Sequence, residues 1–217
     1  MTINDKRNLL DYIAQHHHEE SFEIELGCGG RKRSAIAIGI DKLDCPGVDI
    51  VGDIAEVLAR IPENSIATIR SFHVLEHLEN LGDIVQQFET VLKIGGHLQI
   101  VVPHFSNPHY YSDYTHKGFF GLYSLSYLSR DDIFRRKVPT YGRQSALVLE
   151  DVRLGFKSSP PFYLKHAFKL VLTWIVNSSR YSQETYEELF SWIAPCYEID
   201  YRLSKQLQVN RQAESED

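Results

Sequence analysis

The chain has 217 residues, of which 43% are hydrophobic, and this length and composition suffice to bury one sizeable core. Its formal net charge is -6, and acidic and basic residues are interspersed without a basic cluster, so we expect no nucleic-acid partner. The polar first residues argue against a signal peptide, and the three cysteines lack the CxxC spacing of a zinc site or disulfide framework. We therefore expect one cytoplasmic domain over 1–205 with a polar tail over 206–217.

The hydrophobic pattern predicts strands that alternate with helices, which indicates a mostly parallel sheet. The predicted strands are 22–26, 35–40, 48–51, 66–72, 97–102, 146–152 and 198–203. The predicted helices are 6–15, 54–60, 81–93, 162–177 and 183–192. Gly95 and Gly96 are expected to end the helix that precedes the fifth strand.

A glycine turn, Gly27-Cys28-Gly29-Gly30, follows the first predicted strand, and Asp41 follows the second. Glycines let a ligand approach the backbone closely, and a carboxylate after the next strand can accept hydrogen bonds from ribose hydroxyls. Only ten residues separate Gly30 from Asp41, whereas dinucleotide-binding folds place the acid about twenty residues beyond the glycines, with a full helix between. The short spacing argues against NAD and FAD and favours a nucleoside without phosphates, such as S-adenosylmethionine.

Six segments, in a fixed order, resemble those of a known family. They are 25–30, Asp41, Asp53 within Val51-Gly52-Asp53-Ile54, 65–78 (SIATIRSFHVLEHL), 91–105 (VLKIGGHLQIVVPHF) and 113–120 (DYTHKGFF). With them, residues 22–128 resemble the class I S-adenosylmethionine-dependent methyltransferases, specifically the methyltransferase type 11-like group. The resemblance implies a Rossmann-like α/β sheet of seven strands, mostly parallel with an antiparallel last strand. It also implies a truncated first helix, and the predicted helices place a helical insertion at about 160–194.

The resemblance implies that S-adenosyl-L-methionine is the cofactor and that it lies at the carboxyl ends of the parallel strands. The residues expected to bind it are Glu25, Gly27, Cys28, Gly29, Asp41, Asp53, Ile54 and His73. Glu76 and His77 follow shortly after, where they either line the mouth of the site or begin a helix with a capping carboxylate.

A long loop over 104–121 is crowded with histidine, tyrosine and aspartate, and long ordered loops at this edge of a sheet are often functional. Methyl transfer to a hydroxyl requires removal of a proton, which histidine can accept near neutral pH. We expect His116 to be this base, oriented by Asp113, with His104 as the rival candidate. A divalent metal held by His104, His109, Asp113 and His116 is the alternative. Because these spacings match no metal motif, the sequence prediction is that there is no metal site.

The sequence therefore predicts a methyltransferase that acts on a hydroxyl of a small molecule or glycan, the glycan being suggested by the resemblance. N-methylation and cofactor binding without turnover are the alternatives. The apolar segment 162–176 is too short to span a bilayer. We expect it to cover the acceptor pocket, to form a homodimer contact or to touch a membrane surface peripherally.

Overall fold

The hydrophobic segments of the sequence form one sheet with flanking helices, in a computed structural model that describes residues 9–158 and 163–207. The strands are β1 (Phe22–Leu26), β2 (Ile38–Asp41), β3 (Ile50–Val51), β4 (Ile66–Phe72), β5 (Leu92–Pro103), β6 (Arg130–Asp131), β7 (Leu147–Gly155) and β8 (Glu198–Lys205). The α-helices are α1 (Leu9–His16), α2 (Ile54–Leu58), α3 (Leu81–Val91), α4 (Tyr163–Val176) and α5 (Arg180–Leu189). The start of the predicted helix 6–15 and most of the predicted tail lie outside the described residues.

The strands follow the order β3-β2-β1-β4-β5-β8-β7-β6 across the sheet. Strands β1 to β5 pair in parallel, whereas β8 lies antiparallel between β5 and β7. This arrangement confirms the predicted mostly parallel sheet with an antiparallel last strand. The sheet has eight strands rather than seven, because the short β6 pairs in parallel with β7. The strand β6 was not predicted because it has only two residues, too few to show a hydrophobic period.

The core lies around the central strands. Ile24, Ile69 and Ile100 are fully buried on the neighbouring strands β1, β4 and β5, as expected for parallel strands covered on their faces. The helix α3 buries Ile84 and Phe88, which lie four residues apart and share one face. Over the described residues, no helix is both long and apolar enough to cross a bilayer.

The prediction that Gly95 and Gly96 end a helix is wrong. The helix α3 ends at Val91 and β5 begins at Leu92, so both glycines lie inside the strand. Gly95 has a φ of +79°, and a Cβ added to Gly96 would lie 2.8 Å from the carbonyl oxygen of Lys93. The pairing of β4 with β5 shifts register here, so the glycines permit an irregularity in the strand.

Other boundaries differ by a few residues. The strand β2 begins at Ile38 rather than at 35, because a hydrogen bond from Ala37 N to Ser34 O closes a turn before it. The helix α5 begins at Arg180 rather than at 183, because the Ser179 side chain caps its first turn. The helices α4 and α5 form the predicted insertion between β7 and β8.

Candidate functional site

The carboxyl ends of β1, β2, β4 and β5 lie along one edge of the sheet. The glycine turn follows β1, Asp41 ends β2, His73 follows β4 and His104 follows β5. Ligands of open α/β sheets bind at this edge. The topology therefore gathers the segments that carry most of the sequence-predicted site residues.

The glycine turn is held by hydrogen bonds to β2. Gly27 N donates to Ile40 O over 2.8 Å, and Gly29 N donates to Oδ2 of Asp41 over 2.8 Å. Both glycines have left-handed backbones, with φ of +61° at Gly27 and +53° at Gly29. A Cβ added to Gly27 would lie 2.1 Å from Val74 Cγ2, whereas one added to Gly29 would meet nothing within 4 Å. Gly27 thus serves packing, while Gly29 borders open space that a ligand can enter.

The Asp41 carboxylate is fixed from two sides. Its Oδ2 accepts the hydrogen bond from Gly29, and its Oδ1 accepts one from Leu43 N over 2.9 Å. A carboxylate offers about four lone-pair positions, so two hydrogen bonds leave capacity for two more. Asp41 therefore retains the acceptors that a pair of ribose hydroxyls needs.

The first helix of the usual nucleotide-binding unit is absent, since β1 leads to β2 with no helix between them. Glu25, which is 2% exposed, holds this connection by accepting hydrogen bonds from Arg33 N and Ser34 N at 2.9 to 3.1 Å. Burial, followed by the charges of Asp41 and Glu25, raises the pKa of the Cys28 thiol to about 11. Cys28 therefore remains a neutral, small side chain inside the turn.

Asp53 and Ile54 begin the helix α2. Asp53 is its N-cap residue, and Oδ1 accepts a hydrogen bond from Ala55 N over 2.9 Å. Ile54 is buried in the core. In the structure both residues position the backbone that follows β3, and the second carboxylate oxygen of Asp53 has no part in this cap.

His73 lies directly after β4 with a φ of 55°, an uncommon conformation for a residue other than glycine. Its Nε2 lies 3.3 Å from Oε2 of Glu198, and its Nδ1 lies 3.6 Å from Oε1 of Glu76. The interaction with Glu198, followed by that with Glu76, raises the pKa of His73 to about 9. At neutral pH the ring therefore carries a positive charge. Glu198, from the antiparallel strand, was not predicted as a site residue.

His116 and Asp113 lie close together, without a hydrogen bond between their side chains. Nε2 of His116 is 3.7 Å from Oδ2 of Asp113, and Nδ1 of His116 instead donates to Tyr110 O over 2.9 Å. Asp113 accepts a 2.6 Å hydrogen bond from Thr115 Oγ1, and hydrogen bonds from Thr115 lower the pKa of its carboxyl. Thr115 Oγ1 also lies 2.8 Å from Nδ1 of His77, so hydrogen bonds through Thr115 link Asp113 to His77.

These contacts fix the tautomers of both imidazoles, whose ring centres are 4.8 Å apart. The single hydroxyl hydrogen of Thr115 is donated to Asp113, so Nδ1 of His77 must donate to Thr115. Nδ1 of His116 must likewise donate, because the Tyr110 carbonyl only accepts. Each histidine therefore has an Nε2 that carries a free lone pair when the ring is neutral.

Glu76 lies beside this pair on the 3-10 turn Leu75–His77. Its side chain is 1% exposed, and its Oε2 makes no hydrogen bond within the described part of the chain. Its backbone carbonyl accepts hydrogen bonds from Lys117 N and Gly118 N, over 2.6 and 3.2 Å. These bonds attach the loop that carries His116 to the turn that carries His77. The 3-10 turn has no side-chain cap, so the structure does not support the interpretation of Glu76 as a capping carboxylate.

His104 occupies a different environment. It is fully buried, with Nδ1 2.8 Å from Ser106 Oγ and Nε2 3.1 Å from Oε2 of Glu187 on α5. Both ring nitrogens are engaged, so no lone pair remains for a substrate. His109, a member of the alternative metal set, is exposed on the surface.

Comparison with known proteins identifies the fold. No family model and no curated protein matches the chain. A SAM-dependent methyltransferase from Archaeoglobus fulgidus is similar in structure, with a TM-score of 0.55, 16% identity and coverage of 93% of this chain and 95% of that one. The YcgJ protein from Bacillus subtilis gives a TM-score of 0.53 at 13% identity, with 92% and 98% covered. The MccD protein gives 0.51 at 12% identity, with 92% and 97% covered.

These similarities extend over nearly the whole chain. They agree with the mostly parallel sheet and its antiparallel strand β8 described above. The fold expected from the sequence resemblance is therefore confirmed: the chain has the fold of the class I S-adenosylmethionine-dependent methyltransferases.

Proposed function

We propose that the protein is a methyltransferase that uses S-adenosyl-L-methionine to methylate a hydroxyl group of a small molecule or glycan. The observation that carries the proposal is a juxtaposition at one sheet edge. The glycine turn at Gly29, which is open to a ligand, lies beside the Asp41 carboxylate, which has lone pairs to spare. His77 and His116, whose Nε2 lone pairs are free, lie in the segments that follow β4 and β5 at the same edge of the sheet.

The residues at this edge fit the cofactor. The open space beside Gly29 admits a ligand against the backbone, and Asp41 has lone pairs left for two ribose hydroxyls. His73 follows the neighbouring strand, and we keep it in the proposed cofactor site together with Gly27, Cys28 and Glu25, which shape the turn. We also keep Asp53 and Ile54 in the proposed cofactor site, because they form the start of α2 directly after β3.

S-adenosylmethionine supplies a methyl group on a sulfonium, whose departure as a neutral thioether requires no acid. The protein must therefore align the acceptor and remove its proton. We assign proton removal to Nε2 of His116. Its Nδ1 is fixed by the Tyr110 carbonyl, and the Asp113 carboxylate at 3.7 Å stabilises the imidazolium that forms. His104 is left out of this role because both of its nitrogens are engaged.

A free imidazole lone pair favours a hydroxyl acceptor. A neutral amine attacks with its own lone pair, whereas an alcohol at neutral pH must lose a proton as the new bond forms. A base that is held in one tautomer and presents Nε2 meets this requirement.

The helix α4 exposes apolar side chains that could contact a partner. Phe168, Val171 and Trp174 are exposed there, at 66%, 56% and 76%. Such a surface suits a peripheral membrane contact or a homodimer, and both belong to the proposal. The three cysteines are free thiols, which supports a cytoplasmic location.

The test is production of S-adenosylhomocysteine from S-adenosylmethionine with a panel of phenols, sugars and amines. We expect turnover with a hydroxyl acceptor, and none by an Asp41→Ala variant at low cofactor concentration. Turnover with amines alone would replace the proposal by N-methylation. Cofactor binding without turnover across the panel would indicate a binding protein.

A further inference from the structure

The histidine pair and Glu76 form a cluster of metal-ligating groups. One atom each from Glu76, His77 and His116 lies within 4.8 Å of the others. The cluster unites two distant parts of the sequence, because the Glu76 carbonyl binds the backbone of the loop that carries His116. The three residues are not the set that the sequence suggested as a metal alternative; only His116 is common to both.

We infer that Glu76, His77 and His116 form a binding site for a divalent transition-metal ion of the zinc type. The inference goes beyond the proposed function, since ion binding does not depend on methyl transfer.

The protonation of the two imidazoles suits an ion. Both rings hold their hydrogen on Nδ1, so both Nε2 atoms offer lone pairs, and Nε2 of His77 lies 4.0 Å from Oε1 of Glu76. Metal-ligating histidines generally donate the other ring N–H to a carbonyl, carboxylate or similar acceptor, which sets the tautomer. Here the acceptors are the Tyr110 carbonyl and the Thr115 hydroxyl, itself bound to Asp113.

The buried carboxylate is the independent sign of a missing ligand. Glu76 is 1% exposed; its Oε1 lies 3.6 Å from Nδ1 of His73, whereas its Oε2 has no hydrogen-bond partner among the described residues. A buried carboxylate oxygen without a partner is costly, and such groups are normally satisfied by a donor or a cation. A cation bound by the carboxylate would supply the partner that Oε2 lacks, with Nε2 of His77 already 4.0 Å from Oε1.

The ligand set selects the kind of ion. Two imidazoles and one carboxylate suit Zn²⁺ and related transition metals, whereas Mg²⁺ and Ca²⁺ prefer oxygen ligands. With bonds of about 2.0–2.1 Å, ligand atoms in a tetrahedral site lie about 3.4 Å apart, so the ligand atoms, now within 4.8 Å of one another, must approach by up to about 1.4 Å. Three protein ligands leave a fourth position open.

The ion would change the role assigned to His116. One lone pair cannot hold an ion and accept a proton at the same time. In the metal-loaded protein, a hydroxyl bound at the open position would lose its proton to water because the ion lowers its pKa. In the metal-free protein, His116 itself would accept that proton.

The experiment measures Zn²⁺ binding by the full, untagged chain after treatment with a chelator, by competition with a chromogenic zinc indicator. Neither cofactor nor acceptor is present. Three consecutive histidines, His16, His17 and His18, could also bind zinc in solution, so a variant with alanine at all three serves as the reference protein. We expect this reference to bind one equivalent of zinc.

Three variants of the reference probe the site. His77→Ala and Glu76→Gln should each weaken zinc binding by about a hundredfold or more, because each removes one ligand. Thr115→Val, which preserves shape but removes the acceptor for His77, should weaken it by about ten- to hundredfold. His109→Ala, at an exposed histidine outside the cluster, should change nothing. Circular dichroism confirms that each variant is folded.

Absence of zinc binding by the reference protein would overturn the inference, as would binding unaffected by His77→Ala and Thr115→Val. The proposed function is tested separately. Zinc binding by a protein that transfers no methyl group leaves the metal site standing, and methyl transfer by a protein that binds no zinc leaves the proposed function standing.

Discussion

Gly29 donates its backbone N–H to Oδ2 of Asp41 over 2.8 Å, which ties the glycine turn after β1 to the end of β2. The two parts of the proposed cofactor site are thus joined before any ligand arrives. Because Leu43 N holds the other carboxylate oxygen, the Asp41 side chain has little freedom to lose on binding.

In the proposed cofactor site, replacing Asp41 with alanine would leave two ribose hydroxyls without acceptors and would remove the hydrogen bond that holds the turn. We expect S-adenosylhomocysteine to bind more weakly by about 1.5–3 kcal/mol, measured by isothermal titration. Asp44→Ala, at an exposed acid three residues on, is the control and should bind normally. Equal affinities of the two variants would contradict the assignment of the ribose site.

Gly29→Ala tests whether the ligand approaches the turn. Gly29 and Gly95 both have positive φ, and a Cβ added to either meets nothing within 4 Å. Alanine should therefore cost each position a similar strain of roughly 1 kcal/mol in stability. Only Gly29→Ala should also weaken S-adenosylhomocysteine binding. If titration shows the same affinity for both variants, no ligand lies against Gly29. Gly27 is unsuited to this test, because a side chain there would collide with Val74.

His116→Ala should lower turnover by roughly a hundredfold to ten-thousandfold with S-adenosylhomocysteine affinity almost unchanged, because it removes the proposed proton acceptor. Asp113→Asn should lose a smaller part of the same rate. The assay compares initial rates with a hydroxyl acceptor, before and after chelator treatment. If chelator treatment lowers the wild-type rate and only Zn²⁺ restores it, His116 acts as a metal ligand. If His116→Ala retains the full rate, His116 has no part in the reaction.

His104→Ala should act on stability rather than on chemistry. The substitution removes the partners of Ser106 and Glu187 in the interior, so we expect a loss of about 1–3 kcal/mol in the free energy of unfolding. Urea unfolding measures it, with the exposed His109→Ala as control. A variant of unchanged stability that is slow in turnover would restore His104 as a candidate base.

Acid should weaken the attachment of α5 to β7. Burial raises the pKa of Asp151, but hydrogen bonds from Arg180 and Arg153 outweigh it and hold the pKa below its ordinary value. The folded state therefore binds fewer protons than the unfolded state, so the stabilisation is present above the unfolded pKa of about 3.9 and is lost as the pH falls through the folded pKa. Urea unfolding of wild type and Asp151→Asn should differ most at pH 7 and least at pH 3. Asp132→Asn, at a side chain that is 90% exposed, should show no such dependence.

The sequence predicts the strands best where apolar residues recur between polar ones over a short segment. The bounds of β1 and β4 agree with the prediction, since each begins with a buried apolar residue and carries further apolar residues along its length. The glycines at 95–96 misled the prediction, because glycine also permits strand irregularities. Hydrophobic pattern likewise carries no information on side chains brought together by loops.

The link from Asp113 through Thr115 to His77 illustrates that limit. Thr115 and His77 are 38 residues apart, and their contact depends on the path of a loop with no periodic pattern. The sequence places Asp113 three residues before His116, which suggests the contact between these two residues but not the hydrogen-bonded link from Asp113 to His77. The burial of Glu76 is equally a property of the packed loop.

The Glu25 carboxylate lies inside the connection between β1 and β2. It accepts hydrogen bonds from the backbone N–H groups of Arg33 and Ser34, in the connection where dinucleotide-binding folds direct such groups at a pyrophosphate. A phosphate entering here would have to displace a buried carboxylate and would meet its negative charge. We therefore expect the chain to bind phosphorylated nucleotides poorly, whereas a ligand that bears a sulfonium and no phosphate meets no such competition.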